Sequence, residues 1–338
     1  MDFKLSGAAL YALRVVLPAV LFAAMQSGLA QAAHTRLTVI TGDDRAASQE
    51  FVQQLRDAQP PGARMNVVRL KPDAAAPASG AAGTEQEEQA ANAGMRMRGL
   101  GGASGEALTV AVGPGAARSA IESDSREPLL LAMLSRLEYE NLKASPGLNR
   151  GDRRVGVLLR DPSMADQLAL VDATLPQRRR LGVVATADSE PLLAELQRAA
   201  GKNWTLQVAT APDATSIAPA LRGVLANSDA IMVLPDAIGD NQAATLAVLH
   251  AAAGAGLPVF GASEGMVRSG GLAAAVSTPA QLARQAQAMG QKLAAGPGGV
   301  MVESAKPASV RVNTTVARGL GLRLPDEREL SDRVAGTR

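Results

Sequence analysis

The sequence predicts an α/β protein built as two doubly wound, parallel-sheet lobes joined by crossovers. Short apolar runs rich in Val, Leu and Ala alternate with helix-length segments whose apolar residues recur at three- and four-residue spacing. The apolar runs end in small or polar residues: Gly42, Gly113-Pro114-Gly115, Pro235-Asp236 and Gly261-Ala262-Ser263. Such residues mark loops at the carboxyl ends of parallel strands, where open α/β sheets bind ligands. The rhythm also runs through the chain twice, breaking near residue 160 and restarting.

In order, 37–40 reads as a buried strand that opens into Thr41-Gly42-Asp43-Asp44, a loop able to cap the next helix. Phe51, Val52 and Leu55 fall on one face of that helix, and Pro60-Pro61-Gly62 stops it. A strand over 65–70 completes a βαβ unit. Residues 72–106 break the pattern: Ala, Gly, Glu and Gln with almost no large apolar side chains. Such a segment cannot bury enough surface to offset its ordering entropy, which predicts a flexible surface insertion. Its glycines, from Gly99 to Gly105, lack the preceding strand and the spacing of a dinucleotide fingerprint.

The strand 108–112 enters Gly113-Pro114-Gly115, with a helix from Ala116. Small residues there allow backbone amides to face an anion, and an ordinary tight turn would use the same residues. A strand over 128–134, a helix over 136–143 and a strand over 155–159 follow. Arg160-Asp161-Pro162 then predicts a helix start, with Asp161 as N-cap, Pro162 as first helical residue, and Leu168, Val171 and Leu175 on one face. Arg178-Arg179-Arg180 reads as a solvated loop. The second ladder has strands over 181–185, 205–210, 230–234 and 258–261, with helices over 189–200, 216–226 and 240–253. A strand over 272–276, a helix over 279–293, a Gly/Pro spacer and a strand over 309–313 close the pattern.

The chain has 338 residues, 47% of them hydrophobic, enough for two domains with substantial cores. A net charge of +2, with no basic stripe interleaved with aromatics, argues against a nucleic-acid partner. Without cysteine there is no disulfide, no thiol nucleophile and no lipid-bearing cysteine. Lys4 and Arg14 precede an apolar stretch over 15–24, and small residues end at Ala30-Gln31-Ala32. This predicts a signal peptide over 1–32 cleaved before Ala33, and a periplasmic chain in a Gram-negative host. Pro18 and the short apolar core argue against a spanning anchor.

Gly261-Ala262-Ser263-Glu264-Gly265 matches G-x-S-x-G, the nucleophile elbow of α/β hydrolases. That class needs its histidine after the serine, yet His34 and His250 both precede Ser263. Ser263 therefore reads as a helix N-cap available to a ligand, and a hydrolase is a remote alternative. Two distant histidines and no cysteine do not make a transition-metal site, and Asp43-Asp44 reads as a cap. No metal and no cofactor is expected. Beyond 1–32 the only aromatics are Phe51, Tyr139, Trp204 and Phe260, too few for a sugar or quaternary-ammonium pocket. A small polar or zwitterionic ligand, held by amides, hydroxyls and one or two carboxylates, fits better.

Several stretches carry a family resemblance: 154–159, 167–176, 181–184, 229–236, 257–273 and the closing 312–325, with Val312-Asn313 followed by Ala317-Arg318-Gly319-Leu320-Gly321-Leu322. In these the chain resembles the ABC transporter substrate-binding proteins of the periplasmic-binding-protein type I fold, a group whose better-known members bind aromatic amino acids. The resemblance implies two lobes, 36–160 plus 272–296 and 161–271 plus 305–330, joined by three crossovers. It implies a ligand in the interlobe cleft, touched by Thr41, Gly42, Asp43, Asp44, Gly113, Pro114 and Gly115 from one lobe. Asp188, Ser189, Asp236, Ser263 and Glu264 would touch it from the other. Asp236 and Glu264 would accept from a ligand ammonium, and the amides after Gly113 would donate to a carboxylate. The implied activity is non-enzymatic binding of an amino-acid-like molecule or small organic acid for a membrane permease. A sensory or accessory protein of the same fold is the alternative. Pro235-Asp236-Ala237 departs from the Thr-Asp-Asn type of the aromatic-amino-acid binders, and Gly113-Pro114 from their Gly-Thr, so ligand identity does not transfer.

Overall fold

A computed structural model describes residues 36–42, 45–59, 63–70, 107–296, 298–306 and 309–336. The expected signal peptide over 1–32, the insertion over 72–106, Asp43 and Asp44 lie outside the described residues.

The strands form two six-stranded sheets. The first holds β1 (Arg36–Thr41), β2 (Arg64–Arg69), β3 (Ala107–Val112), β4 (Leu129–Leu134), β5 (Arg154–Pro162) and β11 (Gly299–Ala305), in the order β11-β5-β4-β3-β1-β2 with every pair parallel. The second holds β6 (Arg180–Ala185), β7 (Thr205–Thr210), β8 (Ala230–Met232), β9 (Val259–Gly261), β10 (Ala273–Val276) and β12 (Ser309–Val312). Its order is β12-β10-β9-β8-β6-β7, and only β12 is antiparallel. Each sheet thus repeats one doubly wound order and adds one edge strand beside its fifth. The helices are α1 (Ala46–Asp57), α2 (Pro114–Glu122), α3 (Arg136–Lys143), α4 (Met164–Thr174), α5 (Glu190–Ala200), α6 (Ala218–Leu225), α7 (Gln242–Gly254), α8 (Glu264–Arg268), α9 (Pro279–Ala295), α10 (Thr314–Gly319) and α11 (Glu327–Gly336).

Both faces of each sheet are covered, which explains the unbroken apolar strands. All six residues of β4 are buried, with Leu129 and Leu131 in one core cluster and Leu130 and Ala132 in another. In β10, Ala273 and Ala275 face one cluster of the second lobe while Ala274 and Val276 face the other. Among the described residues no helix is long and apolar enough to cross a membrane.

Three connections pass between the sheets: β5 to α4, β10 to α9, and β11 to β12. Three expectations need correction. Residues 272–296 do not move as a block into the first lobe: β10 pairs with β9 and β12 in the second sheet, and only α9 crosses, packing on α1 and β5. The Gly/Pro spacer contains β11, an edge strand beside β5. Asp161 and Pro162 do not start α4. They end β5, and Ser163 caps the helix, its Oγ accepting from the Asp166 amide at 3.1 Å. A proline can end a strand because its missing N–H falls where the ladder stops.

Candidate functional site

The carboxyl ends of both sheets meet at a cavity of about 300 Å3. Arg45, Ala47, Ser48, Met133, Arg160 and Asp161 line it from the first lobe; Val233 to Pro235, Gly239, Asp240, Gly261 to Ser263 and Met266 line it from the second. Two irregularities build the first-lobe side. Between β4 and β5 the register passes from Ala132↔Leu158 to Leu134↔Leu159, leaving Met133 as an extra residue. Met133 has φ 62°, a conformation that an L side chain adopts at a cost. On the other edge of β5 the register runs from Glu303↔Leu158 to Ala305↔Pro162, so Leu159, Arg160 and Asp161 face Ser304 alone. Bulges re-aim side chains at strand ends, and here they bring Met133, Arg160 and Asp161 to the cavity.

Charges meet at this point. The Asp161 side chain is 17% exposed, and its Oδ1 lies 3.7 Å from Arg160 Nε. Its Oδ2 is buried and has no hydrogen-bond partner among the described residues. Burial pushes the Asp161 carboxyl up to about 6; the Arg160 charge opposes this, and Asp240 and Glu138 reinforce it. Arg160 also donates from Nη1 to Glu138 Oε2 at 3.4 Å and holds Nη2 3.8 Å from Asp240 Oδ2 across the cleft. Glu138 is fixed by a capping box: its amide donates to Ser135 Oγ at 3.1 Å, and its Oε2 accepts from the Ser135 amide at 2.6 Å. Arg45 Nη2 stands 3.7 Å from Glu138 Oε1. Among the described residues, three carboxylates and two guanidiniums thus join in one network.

On the second lobe, Gly239 allows the lip of the cavity to fold tightly, because a Cβ there would lie 2.1 Å from the Leu234 carbonyl oxygen. The turn is held by Asp236, which is 2% exposed. Its Oδ1 accepts from the amides of Ile238 at 2.9 Å and Gly239 at 3.1 Å, and its Oδ2 accepts from Ser189 Oγ at 2.5 Å. Burial raises the Asp236 carboxyl, while these three hydrogen bonds pull it down.

Of the residues expected at the site, Ser263 lines the cavity, with its Oγ accepting from the Met266 amide at 3.2 Å as the cap of α8. Asp236 and Ser189 lie behind the lip, bonded to each other. Asp188 is exposed and outside the cavity lining. Glu264 turns to Arg268 at 3.1 Å and Arg311 at 3.9 Å, and does not line the cavity. Gly113, at φ 83°, donates its amide to Ala132 at 3.0 Å and opens α2; neither it nor Pro114 nor Gly115 lines the cavity. Thr41 and Gly42 line a different depression, of about 830 Å3, between α1 and β2. The sequence pattern does not mark Met133, Arg160, Asp161 or Asp240 as ligand contacts. The one signal for two of them was a charged pair, Arg160-Asp161, closing an otherwise apolar run.

Residues 142–332 match the profile of the family described as ABC transporter substrate binding protein, which is more than half of the 338 residues. The chain belongs to the ABC transporter substrate binding protein family. The members of this family bind solutes and are generally non-enzymatic. Three solved structures share the periplasmic-binding-protein type I architecture. A ligand-free, open substrate binding protein with adhesive properties from Clostridium difficile gives a TM-score of 0.63 at 15% identity, over 86% of this chain and 96% of its own. A conserved domain protein from Vibrio cholerae gives 0.54 at 21% identity, over 89% and 98%. An ABC domain from Streptococcus pneumonia in complex with L-Trp gives 0.52 at 17% identity, over 86% and 96%. No curated protein sequence gives a match.

Proposed function

We propose that this substrate-binding-family chain is an exported solute-binding protein. It holds a small amino-acid-like molecule or small organic acid in the interlobe cavity and presents it to a membrane permease. The observation that carries the reading is the cavity itself: both lobes line it, and one lining residue, the mostly buried Asp161, has no hydrogen bond to either carboxylate oxygen among the described residues. Native structures rarely leave such an atom unpaired, so a ligand donor is the natural complement. A volume of about 300 Å3 is at the small end of ligand sites and suits a molecule of amino-acid size. The L-Trp held by the pneumococcal relative supports the amino-acid class without naming the ligand here. The charged start, apolar stretch and Ala30-Gln31-Ala32 support export.

Closure would follow binding only if the closed form holds the ligand more tightly than the open form. Thermal-shift screening against amino acids and small organic acids, followed by small-angle scattering, should find at least one ligand that raises the melting temperature and shrinks the particle. A flat response over both panels would defeat the proposal. Fractionation with N-terminal sequencing should find a periplasmic chain beginning at Ala33.

A further inference from the structure

We propose that Asp161 makes the cavity selective for a primary ammonium group on an aliphatic body, rejecting organic acids and quaternary ammonium ions. The proposal rests on the cavity being the ligand site. Among the carboxylates near it, Asp161 alone lines the cavity with a mostly buried side chain that accepts no hydrogen bond among the described residues. Asp236 has both oxygens engaged inside its own lobe. Asp240 also lines the cavity, but its side chain is 68% exposed, where water competes for it. Glu138 is held by the Ser135 amide, Arg160 and Arg45.

Among the described residues, the network of Asp161, Glu138 and Asp240 with Arg160 and Arg45 has one more carboxylate than guanidinium. One added cation balances it, while an added carboxylate deepens the imbalance. The cation must carry N–H groups, because the Asp161 carboxylate is an acceptor without a hydrogen-bond donor among the described residues. A quaternary ammonium has none, and the aromatic faces that would otherwise hold it are absent from the cavity. Phe51, Tyr139, Trp204 and Phe260 are all buried in the core clusters. A hard metal ion would require several oxygens, and the described residues contain no group of three or more suitable ligands. The apolar side of the cavity is aliphatic and sulfur-bearing: Met133 faces it from one lobe, and Val233, Leu234 and Met266 from the other. Methionine adapts to irregular apolar shapes, which suits a flexible aliphatic chain.

The attraction requires Asp161 to be ionised. The groups facing it are Arg160, Glu138, Asp240 and, through Glu138, Arg45. As pH falls through about 6 in the empty protein the carboxyl gains a proton and the attraction is lost. A bound ammonium favours the carboxylate and moves that midpoint lower.

The test is calorimetric titration of the full mature chain with leucine, norleucine and methionine, their 2-hydroxy acid counterparts, and their trimethylated betaines. At pH 7.5 an amino acid should bind roughly ten- to a hundredfold more tightly than its hydroxy acid, the range expected for a charge-assisted hydrogen bond. The betaine should bind as weakly as the hydroxy acid. Asp161→Asn should remove most of the difference. Hydroxy acids binding as well as amino acids would overturn the ammonium selectivity and leave the cavity standing as a solute site. No binding by any of the three series, with no closure by scattering across the wider panel, would overturn both. Should Asp161→Asn not fold, the wild-type pH series decides: amino-acid affinity must fall severalfold between pH 7.5 and pH 5, and a flat series overturns the proposal.

Discussion

Burial of Asp161 weakens the fold in return for the role proposed for it at the cavity. Its carboxyl is raised from 3.8 to about 6 because burial disfavours the charged form. An acid whose folded pKa is raised contributes full stability below the unfolded value and loses it as pH rises through the folded one. Asp161→Asn should therefore stabilise the ligand-free protein at pH 7.5, by about 2–3 kcal/mol at most from that shift. The gap should close as pH approaches 4, a trend that urea melts of both proteins across pH would show. Asp236 is the opposite case, a carboxylate whose partners all lie within its own lobe. Ser189→Ala removes the 2.5 Å bond to Oδ2 and leaves a buried acceptor short of a donor. The expected loss is about 1.5–3 kcal/mol in urea unfolding, because a hydrogen bond to a charged, buried group is lost. The sequence reading named Asp236 as a contact to ligand. Its type and its place after β8 were legible, but the donor to its Oδ2 is 47 positions away, and only folding brings the two together.

Among the elements, the edge strands differ in how they are finished. A sheet edge exposes a row of unpaired amides and carbonyls. At β12, α11 covers that edge: the Val310 amide donates to Ser331 Oγ at 2.8 Å, and the Val312 amide donates to Glu327 Oε1 at 2.9 Å. The double variant Glu327→Ala, Ser331→Ala should cost about 1–3 kcal/mol and speed hydrogen exchange at the amides of Val310 and Val312. Unchanged exchange there would refute the role given to α11. A side-chain pair also finishes β10. Its ladder with β9 ends at Gly261↔Ala274, and buried Gln167 from α4 serves the next residue, donating to the Ala275 carbonyl at 2.8 Å and accepting from its amide at 3.3 Å. The central strands were readable because burial on both faces demands continuous apolar runs. The outer strand β11 was not: Gly299-Val300-Met301-Val302-Glu303 mixes exposed and half-buried positions, and Val300 and Val302 are exposed at the sheet's edge. The bulges at Met133 and at Arg160-Asp161 were equally silent, since Leu129 to Leu134 reads as a regular apolar strand and the extra residue exists only relative to its neighbours.

At the scale of the molecule, the two lobes meet across a charged seam whose one direct ion pair among the described residues is loose. Arg160 and Asp240 stand 3.8 Å apart, and Asp240 is largely exposed. Exposed pairs contribute about 0.2–1 kcal/mol, so Asp240→Asn should move the open-to-closed ratio by no more than about fivefold. Small-angle scattering of the ligand-free protein at low and high salt would read this. A large opening in the variant, insensitive to salt, would mean that Asp240 does more than pair with Arg160. Such a weak seam is what the proposed function requires, since there a ligand and not a standing ion pair would decide closure.

Composition and order along the chain determined most of the architecture. Local apolar periodicity, strand-end glycines and prolines, and the repeat of the same rhythm specify two doubly wound sheets, because burial on both faces leaves that mark on every central strand. The 312–325 run, with its Ala317-Arg318-Gly319-Leu320 core, pointed to the family. The tertiary structure alone decided which strand-end residues face the cleft. In this fold ligands favour the point where the strand order reverses, beside β1 and β3 and beside β6 and β8. The described lining of the cavity includes the end of β8 and the start of α1, which follows β1, and extends from there to the ends of β4, β5 and β9. Paired bulges turn Met133, Arg160 and Asp161 toward it, while Ser189 and the lip amides donate to both oxygens of Asp236. Strand register and hydrogen-bond saturation are relations between distant segments, and no single stretch of sequence contains them.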